Sequence, residues 1–317
     1  MGLDDIIRIT AAAAGTVAYV TLFGYLGFKV GQVTASLQRK GTWTKNHNQV
    51  AVITIDGPIG AVPLNNAGND ANYLKGCIDS LVDNKTVKGI VLEVNSGGGL
   101  VYAGFEMVDL LRHVRAGTYH KKLAPMHIVG RARGVAASAA YHLLCACDYI
   151  VANATSLVGS IGAFTAIPDA SELMKNYGVK VHVFKTAKFK AAGMPFVGMN
   201  DEEKQIIDQQ LNECVEYFLR DVALGRRMTV DALKETYANG LCFYAEKVVS
   251  SPEKPGLVDY IGNRMTAVWV LEQLGKFTCD NVFEVYPPIR GFNRLPFRMS
   301  LTERAQRYLI DPSTQQL

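Results

Sequence analysis

The sequence predicts an α/β protein built on a largely parallel sheet, and three observations carry that expectation. Short apolar runs of strand length alternate with stretches whose apolar residues recur at helical spacing. The runs are nearly continuous rather than alternating, as in strands buried on both faces. Glycine-rich turns follow strand ends, where such sheets hold ligands. Strand, helix, strand in succession means parallel pairing through right-handed crossovers.

The elements follow in chain order. Val50 to Ile55 (VAVITI) reads as a buried strand stopped by Asp56-Gly57-Pro58. Ala71 to Val82 can be helical, and Gly89 to Val94 (GIVLEV) is a second strand. Val101 to Val114 places Phe105, Val108, Leu111 and Val114 at helical spacing. Met126 to Val129 makes a third strand, Ala136 to Cys147 a helix, Tyr149 to Ala152 a fourth strand and Val179 to Phe184 a fifth. From Asp201 onward Ile207, Leu211, Cys214, Phe218 and Val222 mark one face of a long helix that Gly225 can end. Helical patterning returns at Val230 to Tyr237 and Ala267 to Leu274, and a short strand at Val282 to Tyr286 closes the series. No compositional break divides residues 46–290. The expected organisation is therefore an anchor and linker over 1–45, one domain over 46–290 with a helical C-terminal part, and a tail over 291–317.

Composition narrows the class. With 49% hydrophobic and 20% charged residues, the 317-residue chain is not a disordered, collagenous or disulfide-stapled sequence. The net charge of +4 is small and no Lys/Arg block occurs, so nucleic acid is not the expected partner. The apolar excess has a local source: Ile9 to Phe28 contains no charge and is about as long as a membrane-crossing helix. A cleaved signal with a small-residue site at Val33-Thr34-Ala35 is the competing reading. Lys29, Arg39, Lys40 and Lys45 follow the segment and only Arg8 precedes it, a bias that leans toward a cytoplasmic body.

The six cysteines have no framework spacing. His142, Cys145 and Cys147 form the one cluster with ligand-like spacing, but zinc needs a fourth ligand and no Cys-x-x-Cys pair supplies it. No cofactor is expected. Two segments could carry other chemistry. Asn95-Ser96-Gly97-Gly98-Gly99 follows GIVLEV directly, and its glycines can present bare N–H groups to an anion or serve only as a tight turn. It matches neither G-x-G-x-x-G nor the P-loop pattern. Gly134-Val135-Ala136-Ala137-Ser138-Ala139-Ala140-Tyr141 sets one hydroxyl among small residues at a helix start. On these residues alone Ser138 reads first as an ordinary N-cap. If it is a nucleophile, no histidine stands at a spacing that suggests its base, and a lysine of lowered pKa is the usual substitute.

The series GPI, NSGGG, GVAASAAY, DYIVANATSLVGSIG, and TAKFKAAGMPF followed by a long helix and GRRMT resembles the signal peptide peptidase A family of Ser/Lys proteases, over roughly Val50 to Gly262. The resemblance implies the ClpP/crotonase fold, a spiral of repeated β-β-α and βαβ units. It implies Ser138 as nucleophile, Lys190 as general base, Ser160 as the serine that orients that lysine, and Gly98 as an oxyanion donor. It also implies peptide substrates, among them signal peptides, and a homo-oligomeric ring with active sites between subunits. The body would lie outside the cytoplasmic membrane, against the lean of the flanking charges, and the lipid bilayer would be met through Ile9 to Phe28. Departures are Gly97 in place of the family's proline, Ala139-Ala140 in place of Gly-Gly, and an insertion around Ser250 to Pro255. A non-catalytic membrane scaffold and a crotonase-like acyl-CoA enzyme are the rival expectations.

Overall fold

A computed structural model describes residues 47–60 and 69–287. The elements run β1 (Gln49–Asp56), α1 (Ala71–Asp79), β2 (Val87–Ser96), α2 (Val101–Ala116), β3 (His127–Ala137), α3 (Ala139–Cys145), β4 (Tyr149–Ala152), β5 (Leu157–Gly159), α4 (Ser171–Asn176), α5 (Asp201–Arg226), α6 (Val230–Thr236), β6 (Cys242–Tyr244), a 3-10 turn (Ala245–Val248), β7 (Tyr260–Ile261), α7 (Arg264–Gly275) and β8 (Asn281–Val285). The expected span Ile9 to Phe28, the linker and the tail over 291–317 lie outside the described residues. Among the described residues no helix is long and apolar enough to cross a membrane.

The strands make one sheet in the order β6-β5-β3-β2-β1-β8, with β4 and β7 continuing from β3. All pairings are parallel except β5 with β6. The α/β expectation with a parallel sheet holds, and the period-2 rule explains why its strands read as unbroken apolar runs. On β1, Ala51, Ile53 and Ile55 enter the larger core under α1, α2 and α3. Val50 and Val52 point the other way, into a smaller core with Val91, Val129, Ala267, Val270 and Leu271. Each fully buried branched side chain contributes about 1.5–3 kcal/mol.

Helix starts obey local chemistry. Asp70 accepts from Tyr73 N at 2.8 Å to begin α1, and Asn200 with Glu203 forms a reciprocal capping box at α5. Two expectations require correction. Val179 to Phe184 is not a strand: Val179, Val181 and Phe184 are exposed, none of the described strands pairs with the segment, and the fifth strand is Leu157–Gly159. Gly225 does not end the long helix, which continues to Arg226 and closes on Arg227 in the left-handed region. Gly225 is there for close approach, since a Cβ would stand 2.3 Å from Cys145 O on α3.

One buried charge cluster ties the smaller face together. Glu93 on β2 and Arg131 on β3 are register partners, and α7 lowers Arg264 onto the same carboxylate. Burial alone would raise the Glu93 pKa, but hydrogen bonds from Arg264 and the charge of Arg131 overcome it and hold the carboxyl below its usual range. The Glu93 side chain is 1% exposed. Glu93→Ala leaves two guanidinium groups without their shared anion and should cost about 3–5 kcal/mol, read by urea denaturation. Because the folded pKa of Glu93 is depressed, its contribution is complete above about pH 4.3 and fades as pH falls through the lower folded value. Unchanged stability in Glu93→Ala, or an acid limb unaffected by it, would contradict this account.

Candidate active site

Ser138 stands where β3 changes neighbour. The first half of β3 pairs with β4, from Val129 opposite Tyr149 to Ala132 opposite Ala152. The second half pairs with β5, from Val135 opposite Leu157 to Ala137 opposite Gly159. That handover brings Gly159 against the end of β3, and Ser138 N donates to Gly159 O at 2.9 Å. α3 then begins at once, and the abrupt strand-to-helix join forces Ser138 to φ 55°, ψ −127°. A non-glycine residue held there costs about 1–3 kcal/mol, which the surrounding pairing must offset. Ser138 occupies the N-cap position but makes no side-chain capping bond, so the plain N-cap reading fails. Its hydroxyl is left for other use.

The glycine loop lies against this corner. Gly98 has φ 101°, and a Cβ on it would meet Ala137 O and Ser138 Cβ, each at 2.8 Å. Ile59 N donates to Gly98 O and Leu100 N to Ile59 O, stitching the loop to the segment after β1. Gly98 N donates to Ser96 Oγ at 3.1 Å, so its N–H is engaged within the loop. Gly99 lines the cleft beside Ser138. Ala139 N belongs to the first turn of α3, where helical N–H groups lack intrahelical partners, and it lies beside the Gly98 backbone. The rule that a nucleophile's following N–H faces the oxyanion would have pointed to Ala139 from the sequence.

Val101 and Phe105 of α2, Val215 and Phe218 of α5 and His142 of α3 line a small cleft beside Ser138 that opens to solvent. His142 Nε2 is 2.7 Å from Asp221 Oδ2, and Arg112 reaches Asp221 Oδ1 at 2.6 Å. Burial would raise the Asp221 pKa, but hydrogen bonds from His142 and Arg112 outweigh it and hold the carboxyl below its ordinary value. Burial pushes the Cys145 thiol up to about 12 and the Cys147 thiol higher. Neither supplies a thiolate near neutrality, and no group of His, Cys, Asp or Glu among the described residues could hold a metal ion.

Ser160 follows Gly159 on β5, half-buried at φ 50°, with its N–H donating to Leu241 O at 2.7 Å. Ser138, Gly98 and Ser160 thus cluster around the β3–β5 contact. Lys190 does not join them. It is exposed, and among the described residues its side chain makes no hydrogen bond or ion pair. The neighbouring lysines are occupied: Lys185 donates to Lys188 O, and Lys188 pairs with Glu202. No residue from Gly162 to Asp201 is buried, although the stretch carries Phe164, Phe184, Phe189, Met194 and Phe196 as exposed apolar side chains.

A sharp strand-to-helix turn with a strained serine, a glycine loop packed on its backbone and helix-start N–H groups beside it is an arrangement that can present a hydroxyl and backbone donors to one carbonyl group. Residues 120–278, about half of the chain, match peptidase family S49. The chain belongs to that family, of which the signal peptide peptidase A proteins are members. It is 33% identical over 215 residues to a candidate protease of Methanocaldococcus jannaschii, covering 68% of this chain and 65% of that one. It is 30% identical to a candidate signal peptide peptidase SppA of Enterococcus faecium, covering 71% and 61%. With Protease 4 of Haemophilus influenzae it shares 28% over 72% of this chain and 35% of that one. The chain therefore spans less than two thirds of the length of each of these relatives.

The loop is sterically exact enough to test. A Cβ at Gly99 would lie 2.0 Å from Ile59 O and 2.7 Å from Ile59 N, both backbone atoms that cannot swing aside. Gly99→Ala should lower stability by about 1–3 kcal/mol, measured as a fall in melting temperature. An unshifted melt would show that the loop does not pack as described.

Proposed function

We propose that this chain is a membrane-anchored serine endopeptidase that works through a Ser138/Lys190 dyad and an acyl-enzyme. The observation that carries the proposal is Ser138 itself, held at a strained corner with its hydroxyl free of capping. Lys190 Nζ accepts the hydroxyl proton as Ser138 Oγ attacks the peptide carbonyl carbon. The developing oxyanion is met by the Ala139 N–H and by the Gly98 N–H, which turns to it from Ser96 Oγ, in a corner where the first turn of α3 adds positive potential. Lys190 then returns the proton to the leaving amine. Water hydrolyses the ester by the same route in reverse, with Ser160 orienting the lysine.

Within one chain Lys190 lies on an exposed arm and is not among the residues that line the Ser138 cleft. The arm has apolar side chains and no core of its own, which supports a homo-oligomeric ring in which a neighbour delivers the lysine. The E. faecium relative's description as a signal peptide peptidase supports signal peptides or other membrane-associated peptides as substrates. Ile9 to Phe28 is the proposed bilayer anchor, with the body on the extracytoplasmic side.

A fluorophosphonate probe should label the wild-type chain, and Ser138→Ala should abolish labelling and lower peptide hydrolysis at least about 10³-fold. Lys190→Ala should be equally inactive. Full hydrolysis by Lys190→Ala sinks the dyad, and a folded oligomer that never labels favours the scaffold instead. Mixing and reassembling the two inactive variants in equal amounts should restore about a quarter of the sites, since each needs one intact partner on either side. Persistent inactivity of that mixture would place both groups in one subunit.

A further inference from the structure

The cleft beside Ser138 ends on a polar group that the dyad does not use. His142 lies one helical turn beyond Ser138 on α3, and side chains on a helix lean toward its N-terminus, so the imidazole stands in the wall next to the serine. Its side chain is 3% exposed. Phe105 meets the ring edge-on with centroids 4.6 Å apart, and Phe218 packs on it at 5.0 Å. These two rings and Asp221 fix its orientation.

Hydrogen bonding settles which nitrogen does what. Asp221 carries a depressed pKa and also faces Arg112, so it is an ionised acceptor. His142 Nε2 therefore holds a proton on the Asp221 side, which leaves Nδ1 as the ring's second polar atom. Nδ1 has no partner among the described residues, and the only sealed, unpaired side-chain polar atom among them is Arg131 Nε. Nδ1 is thus unpaired without being sealed, in a ring that lines the cleft.

We infer that this cleft receives the substrate side chain on the acyl side of the scissile bond and that His142 Nδ1 forms a hydrogen bond with a hydroxyl or primary amide at its tip. The inference rests on Ser138 being the nucleophile. A purely aliphatic side chain would cover Nδ1 without replacing its hydrogen bond to water, whereas threonine or asparagine of nearly the same shape satisfies it. The apolar walls bind the stem, and the imidazole reads the end. Asp221 and Arg112 act behind it as positioning residues.

The test uses the full chain in detergent and peptides that differ only at that residue, in the isosteric pairs threonine against valine and asparagine against leucine. Wild type should favour the polar member of each pair by about tenfold in kcat/KM. His142→Phe, which keeps the ring packing but removes the nitrogens, should bring the ratio to about one or reverse it, with an unchanged circular dichroism spectrum showing that the variant is folded. A wild-type ratio at or below one overturns the inference, as does an unchanged ratio in His142→Phe. If wild type is not labelled at all, the nucleophile assignment falls separately. Fluorescence anisotropy of the same peptides on Ser138→Ala then decides the pocket without turnover: preference for the polar members supports it, and equal or opposite preference overturns it.

Discussion

The burial of α3 on every side is the constraint from which the rest of the structure follows. All of its residues are buried, so each neighbour must be shaped to it. Gly225 lets α5 come within contact of its last turn, and Gly104 of α2 leaves room for Ala139. Tyr141 reaches Leu257 O at 2.9 Å, which binds the helix to the segment after the 3-10 turn. Arg226 completes that join by pairing with Asp259 and donating to Gly256 O. A helix so enclosed cannot shift to relax its first residue. The strain at Ser138 is consequently sustained by packing throughout the larger core.

The same enclosure separates the two halves of the chemistry. Ser138, the glycine loop and Ser160 are placed by strands, whose positions are set by ladder hydrogen bonds and burial. Lys190 is placed by a stretch that buries nothing within one chain. Rigid scaffolding for the proposed nucleophile and an unsupported arm for the proposed base form a natural division if a second copy completes the site. His142 shows the converse economy: one buried side chain is anchored by a carboxylate behind it and faces the cleft in front.

Much of this was legible from residues. VAVITI, GIVLEV and YIVA declared themselves as strands because both of their faces are buried. The helix from Asp201 was visible because its apolar stripe recurs every third or fourth residue. The short strands Leu157–Gly159, Cys242–Tyr244 and Tyr260–Ile261 were not legible, since two or three residues carry no period and form only where an existing edge accepts them. Val179 to Phe184 misled for the opposite reason. Its valines and phenylalanine have strand-like composition, but none of the described strands pairs with them.

Local pattern therefore determined the α/β class, the order of the main elements and a short roster of candidate residues, because periodicity and turn chemistry are encoded within a few neighbours. Tertiary structure alone decided the strained backbone of Ser138, the engagement of Gly98 N–H by Ser96, the meeting of Glu93 with Arg131 and Arg264, and the His142–Asp221–Arg112 chain. The last two join groups far apart in sequence, and the geometry of all four is fixed only when sheet register and helix packing close around them.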